Sequence, residues 1–170
     1  MNRSAQLLVF TLDEQRYALS LDLVERVVRA VAVTPLPDAP EIVLGIINVQ
    51  GRIVPVINMR NCFRLQDKKL RPSDQFIILA TARRTFALAV DAVLGVVKCP
   101  SGGVVSTGDI LPRMERVEGV MILADGMILI SDIEKILSLG DETALNDRLK
   151  EFGDLNAEVG DELPEQVNEQ

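Results

Sequence analysis

Asp22 and Asp91 occupy the same position in two stretches of the chain that match each other, and they are the acids whose placement suggests chemistry. Two carboxylates can act as general acid and base, or as nucleophile, when they converge on one pocket and their surroundings push their proton affinities apart. The competing reading is that each ends a strand and caps the next short helix. The chain contains no histidine, which removes Ser-His-Asp and Cys-His nucleophile pairs, His-ligated metals and any phosphohistidine relay carried by the chain itself. Gly102-Gly103 lacks the following Lys-Ser/Thr that a phosphate loop requires. Cys62 and Cys99 stand far apart with no second Cys or His beside either, so they read as packed thiols in a reducing cytoplasm. Lys68-Lys69-Leu70-Arg71 and Arg83-Arg84 have no aromatic neighbours for base stacking and read as a solvated linker and a hairpin turn. Met114, Met121 and Met127 read as core fillers. No cofactor and no metal are implied, and binding through apolar surface is the chemistry that remains.

The elements that position such a surface follow from composition. Of the 170 residues 48% are hydrophobic but only 4% are aromatic, and there is no Trp. The core must then be built from Val, Ile and Leu, whose branching suits pleated strands. Strands are expected at Leu7–Leu12 and Arg16–Leu21 around a polar turn, at Val24–Val33, and at Leu44–Val49 and Ile53–Ile57 joined through Gln50-Gly51-Arg52. Pro55 removes a ladder donor, which predicts a sheet edge or a bulge there. Beyond the polar connection Leu65–Asp74, strands resume at Gln75–Thr81, Phe86–Val90 and Val93–Val97, and a last hairpin, Val117–Leu123 with Met127–Ile130, turns at Asp125-Gly126. Ser131 and Glu134 predict a capping box for a short helix, and Asp141 a cap for a C-terminal helix reaching about Glu151.

An internal repeat organises these strands. Residues 17–28 and 86–97 agree at six of twelve positions with a constant offset of 69, and Gly51-Arg52-Ile53-Val54 echoes Gly126-Met127-Ile128-Leu129. The chain therefore reads as two copies of one small β unit, a way for short strands to avoid open edges. Of the 25 acids, seven lie in residues 151–170, where there is no Lys or Arg, so residues 1–150 hold 18 acids against 18 bases. That balance offers no positive field for nucleic acid, and the expected division is one domain over 1–150 with an acidic disordered tail over 151–170. Without a long apolar run near the start or elsewhere, the expectation is a soluble cytoplasmic protein that does not insert in a membrane.

The run Leu8-Val9-Phe10-Thr11-Leu12-Asp13, Tyr17-Ala18-Leu19, Val24-Glu25-Arg26-Val27 and Gly45 through Arg60 resembles the first half of CheW-type chemotaxis coupling proteins. Val90 through Val97, Val117 through Val120 and Asp125 through Ile130 resemble the second half, so the likeness covers about residues 6–140. The resemblance implies an all-β fold of two five-stranded SH3-like barrels related by a pseudo-twofold, with short helices. The intertwined subdomains would lie at roughly 15–65 plus the N-terminal strand and at 75–138. It also implies a non-enzymatic adaptor joining the cytoplasmic tip of a methyl-accepting chemoreceptor to the regulatory domain of the histidine kinase CheA, recruited to membrane receptor arrays. Leu8, Leu21, Val24, Val27, Val93 and Leu94 would then line the receptor groove, with the turn Asn48, Gln50 and Gly51 near it. Alternation beyond Val24 would turn Arg26 and Val28 to the kinase side.

Two positions depart from the family. An acid is common where Arg26 stands, and the turn usually reads Asn-x-Arg-Gly where this chain has Asn48-Val49-Gln50-Gly51. Gln50 lacks the charged fork of Arg, so a carboxylate contact there is lost or rewired. The alternatives are a CheW-like scaffold of a parallel or non-flagellar chemosensory pathway with other partners, and a small β-barrel enzyme that uses carboxylates.

Overall fold

The computed structural model describes residues 6–82, 84–99, 104–106 and 117–138. Eleven strands are found among them: β1 Gln6–Leu12, β2 Gln15–Ser20, β3 Val24–Arg29, β4 Val43–Val49, β5 Arg52–Asn58, β6 Gln75–Ala80, β7 Thr85–Val90, β8 Ala92–Lys98, β9 Val104–Ser106, β10 Val117–Leu123 and β11 Gly126–Ser131. Two short helices follow the second hairpin of each half, α1 at Met59–Cys62 and α2 at Ile133–Ser138. The strands form one sheet in the order β8-β1-β2-β11-β10-β9 and another in the order β3-β6-β7-β5-β4. The all-β class and the five-stranded units agree with the sequence, with three-residue β9 added at one edge.

Exchanging equivalent strands of the two repeats converts one strand order into the other. The hairpin β1–β2 lies between β8 and β11, and its equivalent β6–β7 lies between β3 and β5. Each sheet therefore holds strands from both sides of the 65–74 connection. The parallel contacts β11–β2 and β5–β7 are the seams where a hairpin of one half meets one of the other. Even the irregularities repeat. A bulge leaves Glu25 unmatched in β3, and its equivalent at offset 69, Leu94, is unmatched in β8. A bulge before Gly45 leaves Leu44 unmatched, and its equivalent before Gly119 leaves Glu118 unmatched. At Gly45, φ is +153° and a Cβ would run into the backbone oxygen of Thr34, so glycine is required where that strand is crossed.

Alternating side chains divide the interior into three clusters. Leu8, Phe10 and Leu12 join Ile77, Leu79 and Phe86 in a core shared by the two sheets. Leu7 and Val9 pack on the opposite face with Met121 and Ile128, while Val54, Val56, Phe76 and Ile78 form the third cluster. Strand β1 is thus covered on both faces, which explains its nearly continuous apolar sequence.

Several local expectations change. Pro55 sits inside the five-stranded sheet opposite Ile46, one residue before the parallel pairing with β7 begins at Val56; it is not at a sheet edge, and the bulge at Leu44 lies opposite the next residues, Val56 and Ile57. The last hairpin turns at Ala124-Asp125, because Leu123 pairs with Gly126, so Gly126 opens β11 with φ +142°. The cap of α2 is Asp132, whose Oδ1 accepts from the Lys135 amide at 3.2 Å; Ser131 is buried and does not cap. Met121 is buried as expected, but Met127 is 55% exposed. Met114, the Asp141 helix and the tail over 151–170 lie outside the described residues.

Candidate partner-binding surfaces

The sequence-predicted groove residues gather around β3 and β8, which are the outer strands of the two sheets and equivalents in the repeat. Leu21, in a 3-10 turn over Leu21–Leu23, and Val24, Val27 and Val93 are half-buried and rest on the core shared by both sheets. Leu94 is 57% exposed because it is the extra residue of the β8 bulge and has no cross-strand partner to cover it. Leu8 is placed differently: it is only 5% exposed, inside the shared core beneath the surface the others line.

The bulge also decides the facing of β3. Strict alternation would put Val24, Arg26 and Val28 on one side. With Glu25 unmatched, Val24 and Val27 pack on the shared core, whereas Val28 packs on the other face against the Val54–Phe76 cluster. The division expected for Val24 and Val28 is therefore produced by the bulge and not by simple alternation.

The turn between β4 and β5 comes to the same strand. Gln50 and Gly51 have φ of 52° and 85°, the left-handed pair of a type I′ turn, and the Gly51 amide donates to Asn48 Oδ1 at 2.8 Å. Arg26 Nη2 donates to Gln50 Oε1 at 3.1 Å, and Arg52 Nη2 donates to both oxygens of Glu25 at 3.0 Å. The two positions that depart from the family pattern thus touch each other. Here the guanidinium stands on 26 and the neutral acceptor on 50. Sequence reading did not single out Glu25 and Arg52, since nothing local to either residue announces a partner 27 residues away.

The two acids with suggestive placement separate. Asp22 is exposed in the 3-10 turn. Asp91 accepts from Arg60 Nη2 at 2.8 and 2.7 Å and from the Asp13 amide at 2.7 Å. Arg60 Nη1 donates to Asp13 Oδ1 at 2.9 Å, and Lys68 Nζ reaches the same oxygen at 3.3 Å. Neither acid caps a helix, and Asp91 is engaged by Arg60 and the Asp13 amide while Asp22 stands in the 3-10 turn. This network joins the β1–β2 turn, α1, the end of β7 and the 65–74 connection, so the Lys68 run is engaged and not merely solvated. Cys62 and Cys99 are both buried.

The Arg60 guanidinium, with Lys68 beside it, holds the Asp13 carboxyl below its ordinary value. Burial opposes the charge of Arg60, but its hydrogen bonds to Asp91 and Asp13 outweigh that and raise its proton affinity. For Asp13, stability gained from the pair is complete above the unfolded-state value of about 3.9 and is lost as pH falls through the lower folded value. A carboxyl-resolved NMR titration should therefore place the Asp13 midpoint below that of an ordinary aspartate, and Arg60→Met should move it back up. An unmoved midpoint would show that Arg60 does not set it.

Among the described residues, no three His, Cys, Asp or Glu side chains are grouped to hold a metal ion, and no helix is long and apolar enough to cross a membrane.

Known proteins resemble this chain in sequence and in fold. A chemotaxis protein CheW of Treponema pallidum is 28% identical over 139 residues, spanning 78% of this chain and 82% of that protein. One from Thermotoga maritima is 29% identical over 135 residues, spanning 78% and 87%. The crystal structure of the scaffolding protein TtCheW from Thermoanaerobacter tengcongensis superposes with a TM-score of 0.69 at 30% identity, covering 76% of this chain and 89% of that one. The family model for the CheW-like domain matches residues 6–140, the interval that contains both repeats and both sheets, and the chain accordingly belongs to the CheW-like domain family.

Proposed function

We propose that this protein is a non-enzymatic chemotaxis adaptor that holds a chemoreceptor tip and the regulatory domain of the histidine kinase CheA on separate faces. The observation that carries the reading is the pair of repeat-equivalent outer strands, β3 and β8, presenting Val24, Val27, Val93 and Leu94 over the shared core. A helical receptor tip would lay its apolar face there, with the Asn48-Gln50-Gly51 turn beside it. The kinase domain would meet the side carrying Arg26 and Val28. Movement of the receptor would then change how the kinase is docked, which is a coupling between two binding sites and needs no turnover. Such an adaptor works in the cytoplasm and is recruited to membrane-embedded receptor arrays.

The carboxylate-enzyme reading has less support. Asp22 lies in the open, and the cleft beside Asp91 has a volume of only about 40 Å³, with the acid tied to Arg60. A specific observation favours the scaffold of a parallel pathway as the second reading, namely the exchanged pair at 26 and 50. Relative to the usual acid and arginine, Arg26 with Gln50 leaves one net positive charge on that surface, which a matching partner would meet with an acid.

Residue-resolved NMR titration with purified kinase regulatory domain tests the assignment. Shifts should cluster on Arg26, Val28 and the Gln50 turn; shifts confined to other strands would overturn it. Restoring the usual polarity with Arg26→Glu and Gln50→Arg provides a second check. Each single change should weaken binding to the native kinase several-fold, while the double variant keeps the intramolecular contact. If the partners are the usual set, the double variant should bind at least as well as the parent. If they belong to a parallel pathway, it should bind that pathway's kinase more weakly.

A further inference from the structure

The two outer strands enter the proposed groove through corners built in different ways. Leu21-Asp22-Leu23 coils into the 3-10 turn before β3, and the Val24 amide donates to the Leu21 carbonyl, so that corner closes on itself. The equivalent residues before β8, Val90-Asp91-Ala92, form no such turn. There the Asp91 amide donates to the Thr11 carbonyl at 3.0 Å, and the Val93 amide donates to Gln75 Oε1 at 2.7 Å. Val24 and Val93 stand at the same place in the repeat, at the offset of 69. One amide is met by its own turn, and the other by a side chain reaching over from the second sheet.

The position of Gln75 explains why it can do this. It is the half-buried first residue of β6, opposite Arg29 of β3 on one side and Val90 of β7 on the other. Its side chain therefore ties β8 to the sheet that holds β3. A bulge takes backbone groups off the ladder, and a partly buried amide that loses its acceptor is costly. The bulge of β8 begins directly after Val93, so the contact fixes the backbone where Leu94 is pushed out toward the groove. The repeat equivalent of Gln75 is Gln6, which is exposed opposite Lys98. Leu21 already supplies the acceptor for Val24 in that half.

We propose that Gln75 is a positioning residue of the receptor groove, holding through the Val93 amide the bulge that presents Val93 and Leu94. It acts from β6 without lining the groove. The assignment rests on the reading of β3 and β8 as that groove, and adds that the β8 side is set in place before the receptor arrives. A side of the groove that is already ordered loses less freedom on binding, and this is how a buried amide contact reaches affinity.

The test uses the full chain and a soluble helical hairpin carrying a chemoreceptor tip. Q75M keeps the length of the side chain and removes the acceptor, whereas Q75E keeps an acceptor. By calorimetric titration Q75M should bind the hairpin roughly tenfold more weakly, with Q75E and Q6M within about twofold of the parent. Hydrogen exchange at the Val93 amide should quicken roughly tenfold in Q75M and return in Q75E, while the Val24 amide stays unchanged. Affinity for the kinase regulatory domain should hold in all three variants, which a general loss of structure would not allow. If Leu94→Asp weakens hairpin binding, then full affinity in Q75M, an equal loss in Q75E or Q6M, or an equal loss toward the kinase domain would overturn the role of Gln75 alone. A parent chain that does not bind the hairpin, or Leu94→Asp that binds it fully, would overturn the groove and the role of Gln75 with it.

Discussion

Arg60→Ala is expected to lower the free energy of unfolding by about 3 kcal/mol, and with it the melting temperature by roughly 10 °C. Arg60 is only 8% exposed in its side chain, and Asp91, which takes two of its hydrogen bonds, is 16% exposed. Removing the guanidinium leaves Asp91 largely out of water with, among the described residues, only the Asp13 amide as donor, and leaves Asp13 to the exposed Lys68. Losing one member of such a pair costs far more than the pair contributes, because the remaining charge has no compensation. The loss should therefore depend on Asp91. In Arg60→Met/Asp91→Leu, which removes both charges while keeping volume, more than half of the stability should return. Arg60→Lys should recover only part of it, since an ammonium cannot reach Asp91 and Asp13 with two separate arms as the guanidinium does. Chemical denaturation of the four proteins checks this; equal losses in the single and double variants would mean that the residue acts through packing alone.

The second large effect concerns binding. Leu94→Asp should weaken association with a receptor-tip helical hairpin by about a hundredfold, because it puts a charge in the middle of an apolar contact. Leu94 is already exposed and stands at a bulge, so the same change should leave the melting temperature within a degree or two. The repeat-equivalent bulge residue, Glu25, supplies the contrast: it is tied to Arg52 at the β4–β5 turn. Glu25→Ala should therefore change receptor affinity much less. Isothermal titration with the receptor fragment, with thermal melts of each variant, decides the matter, and full affinity in Leu94→Asp would remove β8 from the proposed groove.

These two residues also mark how far the sequence reaches. The strand content, the 69-residue repeat and the apolar outer strands were legible because each rests on local patterning: short continuous apolar runs in Tyr17–Leu19 and Phe86–Leu88, branched side chains throughout, and turns at Gln50-Gly51. The likeness to CheW-type proteins rested on the same local runs. By contrast, nothing near Asp91 in the chain points to Arg60, 31 residues earlier, or to Asp13, 78 residues away. The equal placement of Asp22 and Asp91 suggested equal roles, yet only Asp91 faces an arginine, since Glu134 holds the place equivalent to Arg60.

By itself, the sequence determined that the chain is two copies of one aliphatic β unit without histidine, because residue types and short-range periodicity carry that information. Only the tertiary structure decided that each half lends a hairpin to the other's sheet, that the unmatched Glu25 turns Val24 and Val28 to opposite faces, and that Arg26 meets Gln50. Those outcomes depend on which distant strands pair and in what register, and a one-residue shift in register reverses every facing along a strand.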